Sequence, residues 1–260
     1  MIQPLAYVNP GAKLADNVVI EPFVTIHKNV EIGEGTWIGS NVTIMEGARI
    51  GKNCKIFPGA VISAIPQDLK FNGEDTTTEI GDNTTIRECV TINRGTSSKG
   101  KTIIGKNCLL MAYCHIAHDT ILGDNVIIGN GSQIAGEVTI ADFAILSGLV
   151  AVHQFVNIGP HVMISGGSLV RKDVPPYTKA AREPLSYEGV NSVGLRRRGY
   201  SAEKIGEIQE IYRNLYLRGM NNAKALIKIE TEMPATQERD EIISFIRASD
   251  RGVMKGYMSR

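Results

Sequence analysis

An aliphatic residue returns at every sixth position along most of the first 170 residues. The series runs from Val8 to Ile62, from Ile80 to Ile92 and from Ile104 to Val170, 25 positions filled only by Val, Ile or Leu. Four places after each lies a second register of small residues: Ala12, Val18, Val24, Val30, Thr36, Val42, Ala48, Cys54 and Ala60, and later Cys108, Cys114, Thr120, Val126, Ser132, Val138, Ala144 and Val150. An α-helix repeats its face every 3.6 residues and a strand every two, so a period of six fits neither alone. It fits a solenoid whose coil has three short, flat strands, each sending one large and one small side chain inward. Coils then stack at roughly 4.8 Å, and the stiff, β-favouring aliphatics form continuous internal columns. Gly or another turn residue often follows the aliphatic, as at Gly33, Gly51 and Gly105.

Composition narrows what such a solenoid does. The chain is 43% hydrophobic but only 6% aromatic, which suits thin aliphatic layers, and its formal charge is +1. That balance gives no general electrostatic reason for nucleic acid or an anionic membrane as partner, so an anionic ligand needs a local basic cluster. The start, Met1-Ile2-Gln3-Pro4, lacks the basic and apolar regions of a signal peptide, and no apolar run approaches about eighteen residues. The cytoplasm is the expected address. Cys54, Cys89, Cys108 and Cys114 show no CxxC spacing. Three of them occupy the small inward register and are expected to pack; Cys89 falls outside it, with no role assigned.

The hexad fails over residues 63–79 and 93–103, two polar, turn-rich excursions. Loops leaving a regular scaffold often carry function. The first excursion holds Gln67, Asp68 and Lys70 beside Phe71. After Val174-Pro175-Pro176 the register stops and helical patterning begins. Ser201 is a fair N-cap for a helix bearing Ile205, Ile208, Ile211, Tyr212 and Leu215 on one face. Further helices are expected over 222–231 and 236–248. The division expected is a prism over 1–178 and a helical domain over 179–260, the latter packing on the prism and closing one end of its core.

Three strands of six make an 18-residue coil, so residues 18 apart stack. His118, Gly136 and Gln154 then form one column, with Ala117, Ala135 and His153 beside it on one side and Asp119, Glu137 and Phe155 on the other. His118 and Gln154 are expected roughly 10 Å apart, twice the coil spacing. Of only five histidines, His115, His118 and His153 fall in or near this patch.

The stretch Met111-Ala112-Tyr113-Cys114-His115-Ile116-Ala117-His118-Asp119 resembles the catalytic segment of the UDP-N-acetylglucosamine acyltransferases, which act first in lipid A synthesis. Gln67-Asp68-Leu69-Lys70, Ile86-Arg87-Glu88, Asn93-Arg94-Gly95-Thr96, Ala151-Val152-His153-Gln154-Phe155, Asp173-Val174-Pro175-Pro176-Tyr177 and Gly194-Leu195-Arg196-Arg197-Arg198-Gly199 match in the same order. The hexapeptide-repeat family implies a mainly β fold, a left-handed parallel β-helix with a C-terminal α-helical domain, usually trimeric with sites in clefts between neighbouring prisms. The activity implied is transfer of an (R)-3-hydroxyacyl chain from acyl carrier protein to the 3-hydroxyl of UDP-N-acetylglucosamine, without metal, cofactor or covalent intermediate. His118 corresponds to the general base, Asp119 to its orienting acid and Gly136 to the oxyanion donor. That chemistry suits a neutral imidazole acting on an alcohol that attacks a thioester. Further correspondences place His115, Asp68, Lys70, His153 and Gln154 around the substrate and Asn191 near the nucleotide. Arg197 and Arg198 correspond to diphosphate and carrier-protein contacts, and Gly166 and Gly167 to the acyl-chain floor.

Two departures stand out. Many relatives carry His where this chain has Glu137, and Glu where it has Val193, which leaves open a 3-amino sugar as acceptor. Three rivals remain: the related N-acyltransferase of the same pathway, which carries an additional N-terminal uridine-binding domain, a γ-type zinc carbonic anhydrase needing three converging histidines, and a purely structural solenoid.

Overall fold

The computed structural model describes residues 1–256. Strands of mostly two residues, from Tyr7–Val8 to Leu169–Val170, follow one another at hexad spacing and fall into three parallel sheets. Each strand pairs with the third one on, so Tyr7 lies against Thr25 and Gln133 against Ala151, eighteen positions apart. The section is therefore a triangular prism whose three flat faces are the three sheets.

All 25 hexad aliphatics pack in the prism core. Val8 and Leu14 at the open end are partly covered and the others buried. The small register fills the corners, and its polar members also satisfy the backbone there. The Thr36 hydroxyl donates to Gly51 O at 2.9 Å, Thr84 to Gly105 O at 2.8 Å and Ser132 to Ser147 O at 3.1 Å. The buried thiols of Cys54, Cys108 and Cys114 lie against equivalent carbonyls, and burial raises the pKa of each. These three cysteines pack as the repeat requires. Most corners turn through a left-handed residue, often Asn, as at Asn17, Asn29 and Asn125. Asn tolerates that region better than most side chains. Cys89 takes such a corner with φ 55° and is exposed.

The excursions lengthen single coils without breaking the ladder. Val61 pairs with Thr91, thirty positions on, and Thr91 with His115, twenty-four positions on. Beyond the last coil the chain does not pass straight into helices. Thr178–Ala181 and Ser186–Val190 form an antiparallel hairpin that continues one face, and Lys255–Gly256 adds a further strand beside it. Leu185 of this hairpin and Met254 join the prism core. The prism end is thus closed by the hairpin and the last strand rather than by helices alone.

The helices α1 (Ser192–Arg197), α2 (Ala202–Tyr216), α3 (Asn222–Glu232) and α4 (Gln237–Arg247) build a second core around Tyr212, Ile208, Ile229 and Ile242. Ser201 caps α2 by accepting from Lys204 N at 3.2 Å, and Thr236 caps α4. The three longer helices lie where the pattern places them; α1, only six residues long, has no counterpart in that pattern. Among the described residues no helix is long and apolar enough to cross a membrane.

Candidate active site

The outer face of the sheet that carries His115–Ile116, Gln133–Ile134 and Ala151–Val152 forms the floor of a groove of about 590 Å³. His115, His118, Gly136 and Gln154 line it, with Gln67 reaching in from the first excursion. The stacking of the column is direct. Glu137 N donates to His118 O at 3.0 Å and Phe155 N to Gly136 O at 3.3 Å, so His118, Gly136 and Gln154 sit at one corner in successive coils.

His118 is 9% exposed and Asp119 is fully buried. Asp119 turns the corner with φ 58°, and its Oδ2 lies 2.8 Å from His118 Nδ1. An ionised carboxylate can only accept, so Nδ1 carries the proton and the Nε2 lone pair is left for the groove. The second excursion supplies the rest of the carboxylate's partners. The Thr96 hydroxyl donates to Oδ2 at 2.6 Å, Thr96 N approaches both oxygens at 3.0 and 3.2 Å, and Lys99 N donates to Oδ1 at 3.2 Å. Burial alone would raise the Asp119 pKa, but hydrogen bonds from Thr96, His118 and Lys99 outweigh it and hold the carboxyl below its usual value.

Gly136 is fixed by close approach rather than by backbone conformation. A Cβ there would lie 2.5 Å from His118 Nε2 and 2.6 Å from Cε1. The backbone of Gly136 therefore rests against the reactive edge of the imidazole. The coil-to-coil bonds on either side run from Ala135 N to Val152 O and from Glu137 N to His118 O. Among the described residues this ladder leaves the Gly136 N–H for another acceptor.

His115 is set by Thr91, whose hydroxyl lies 2.7 Å from Nδ1. Burial, with the neighbouring His118, holds its imidazole below the usual pKa and favours its neutral form. Asp68 places Oδ2 at 3.9 Å from His118 Nε2, across the groove mouth. Lys70 is exposed, and its backbone N–H fixes Asp68 Oδ1 at 2.9 Å. Gln154 lines the groove, whereas His153 is exposed, with Nδ1 3.1 Å from an Arg251 guanidinium nitrogen.

Three expected site residues, Asn191, Arg197 and Arg198, lie elsewhere within one chain, and Gly166 and Gly167 do not line the groove. Asn191 is buried as the N-cap of α1, its Oδ1 accepting from Gly194 N and its amide donating to His161 O. Val193 is exposed on that helix. Arg198 lies over the Phe143 ring and donates to Phe143 O at 3.1 Å, at the corner following that of Glu137, and Arg197 beside it is exposed. Gly166 and Gly167 are exposed at the other edge of the groove-bearing face, where a Cβ on Gly167 would meet no atom within 4 Å. Glu137 is not a groove residue: its carboxylate pairs with Lys99 Nζ at 3.1 Å and is 12% exposed. Thr96, Lys99 and Arg251 carry no signal of their own in the sequence. Only the position of Thr96 in a matched motif points to any of them.

A prism of parallel six-residue coils bearing a buried His–Asp pair that opens on a groove defines a hexapeptide-repeat transferase. The family described as bacterial transferase hexapeptide (six repeats) matches residues 29–64 and 101–136, and UDP-N-acetylglucosamine O-acyltransferase, domain 2, matches residues 173–254. An acyl-[acyl-carrier-protein]–UDP-N-acetylglucosamine O-acyltransferase of Paracidovorax citrulli is 48% identical over 98% of this chain and 99% of its own. One of Thiobacillus denitrificans is 42% identical with the same coverage. The crystal structure of a UDP-N-acetylglucosamine acyltransferase from Bacteroides fragilis superimposes with a TM-score of 0.97 at 54% identity, covering 98% of this chain and 100% of that one. The chain belongs to the acyl-[acyl-carrier-protein]–UDP-N-acetylglucosamine O-acyltransferase family.

Proposed function

We propose that the protein transfers an (R)-3-hydroxyacyl group from acyl carrier protein to the 3-hydroxyl of UDP-N-acetylglucosamine, the first step of lipid A synthesis, in the cytoplasm. The observation that carries the chemistry is the His118 imidazole, held by Asp119 on one nitrogen and open to the groove on the other. Nε2 takes the proton of the sugar hydroxyl as its oxygen attacks the thioester carbonyl carbon. The carbonyl π electrons move onto oxygen, and the Gly136 N–H is the donor for that oxyanion. Collapse expels the carrier thiolate, which recovers the proton from the His118 imidazolium. Asp119 stabilises that imidazolium without itself being protonated.

His115 and Gln154 on the groove wall and Asp68 and Lys70 on the first excursion are the substrate contacts of this reading, with His153 at its margin. Arg198 sits at a different corner from His118, so a site using both draws on two chains. That supports a homotrimer in which Asn191, Arg197 and Arg198 of one subunit serve a neighbour's groove, the arginines offering forked donors to the diphosphate or the carrier. Gly166 and Gly167 leave the far edge of the groove-bearing face open for the acyl chain. The engagement of Glu137 by Lys99 supports an unaltered N-acetyl sugar as acceptor, since that carboxylate is drawn away from the groove.

The test is His118→Ala, assayed with UDP-N-acetylglucosamine and 3-hydroxyacyl carrier protein. A loss of about 10²–10⁴-fold in kcat is expected of a missing base. Turnover within a few-fold of the parent would remove His118 from the mechanism.

A further inference from the structure

The second excursion leaves the prism between Asn93 and Lys101 and returns with its tip folded over the Asp119 side chain. The wholly buried carboxylate has its acceptor sites filled from this one loop, apart from the share of Oδ2 given to His118. The loop is itself fastened down. Lys99 Nζ donates to Asp119 O at 3.1 Å and pairs with Glu137 at 3.1 Å, and Ser98 N donates to Thr96 Oγ1 at 3.2 Å. That last bond occupies an acceptor site of the Thr96 hydroxyl and commits its proton to Asp119.

We infer that Thr96 is a positioning residue of the acyl transfer: its hydroxyl shares Asp119 Oδ2 with His118 Nδ1 and thereby sets both the direction and the strength of the base. This inference rests on the reading of His118 as the base. Oδ2 has two close donors, the Thr96 hydroxyl at 2.6 Å and the imidazole at 2.8 Å, with Thr96 N farther off at 3.2 Å. Charge drawn toward the hydroxyl is not available to the imidazolium that forms when His118 takes the sugar proton. With the hydroxyl gone, Nδ1–H shares Oδ2 only with the longer contact from Thr96 N, the charged imidazolium is favoured, and the carboxylate loses one anchor of its orientation. Lys99 and Glu137 hold the loop in place, so they act on the dyad through Thr96 and through the Asp119 backbone.

The experiment compares Thr96→Val with Thr96→Ser, reading kcat, KM and the pH profile of kcat/KM. Removal of a hydrogen bond to a buried charge is expected to lower kcat about 10-fold in Thr96→Val. KM for the UDP-sugar should be little changed, because Thr96 is not a groove residue. The acid limb of the profile should move to higher pH, since the imidazolium no longer shares Oδ2 with the hydroxyl. Asp68 at 3.9 Å from Nε2, His115, Lys99 and Glu137 are the other titratable groups around the dyad, and both variants leave them in place. Thr96→Ser keeps the hydroxyl and should match the parent in kcat and in the limb. Thr96→Ala, smaller than Val, carries the same expectation if Thr96→Val does not fold. Parental kcat in a hydroxyl-less variant, or equal loss in the Ser and Val variants with an unmoved limb, overturns the role of Thr96. His118→Ala run alongside separates the two failures: if it stays active the base is elsewhere, and if it is dead while Thr96→Val is normal only the positioning role falls.

Discussion

Replacing Gly136 by Ala tests the site with a single carbon. The added Cβ would stand 2.5 Å from His118 Nε2, where ordinary contact begins at 3.4 Å. One partner must therefore yield by roughly 0.9 Å, in an interior packed too densely to absorb it locally. The ring has little room to do so. Its Nδ1 is bound to a buried Asp119, which is itself bound to Thr96 and Lys99, and swinging the imidazole breaks that chain. The coil has no more freedom, because Glu137 N and Gly136 O are both in the ladder. A misplacement of about 1 Å at a reacting atom costs on the order of 10²-fold in rate. The same overpacking should destabilise the fold by only about 1–3 kcal/mol. Gly136→Ala should thus stay folded, with a melting temperature within several degrees of the parent. It should lose about 10²-fold in kcat when acyl transfer to the UDP-sugar is followed with saturating carrier substrate. Activity within five-fold of the parent, in a folded variant, would refute the placement of the imidazole edge against this backbone.

Two further outcomes concern groups away from the dyad. His161 is stacked between Phe143 and Tyr177, and burial, then the Arg198 charge, push its pKa down to about 4. The unfolded chain therefore binds a proton that the folded one refuses, and stability present above pH 6.5 is lost as pH falls toward about 4. His161→Phe should flatten the melting temperature across that window, and an unchanged slope would assign the acid sensitivity elsewhere. At Gly166 a Cβ meets Gly148 O at 3.1 Å and Ser147 Cβ at 3.7 Å, a contact a small adjustment relieves. Gly166→Leu should fold and shift preference toward shorter acyl chains in a competition assay; an unaltered chain profile would remove this corner from the acyl path.

The coils were legible because their period leaves no freedom. Once Ile20, Ile38 and Ile56 must all point inward, the strands, faces and eighteen-residue columns are determined, and His118, Gly136 and Gln154 stack as that count demands. The hairpin Thr178–Ala181 with Ser186–Val190 was not legible, since its strands carry no hexad and mix Lys179, Tyr187 and Glu188 with small residues. Helix α1 is too short to show a period. The partners of Asp119 were hidden for a different reason. Thr96 and Lys99 meet it across 23 and 20 positions through an excursion whose path no repeat dictates. Asn191 shows the opposite limit: its correspondence to a residue near the nucleotide says nothing of its amide being engaged by His161 and α1.

The two enlarged circuits leave the later coils in step, for Thr91 pairs with His115 and His115 with Gln133 as if nothing had intervened. Both detours begin and end at the same corner, one between Val61–Ala64 and Thr77–Ile80, the other between Thr91–Asn93 and Lys101–Ile104. The prism behaves like a spiral stair with balconies built out at a landing, where extra floor leaves the treads above undisturbed. A residue added within a tread has no such outlet. Inserted beside Ile116, it would turn an outward side chain onto the aliphatic column. Such a scaffold can therefore gain new chemistry at its edges while its flat faces stay closed to change, and the loop over Asp119 is an addition of that kind.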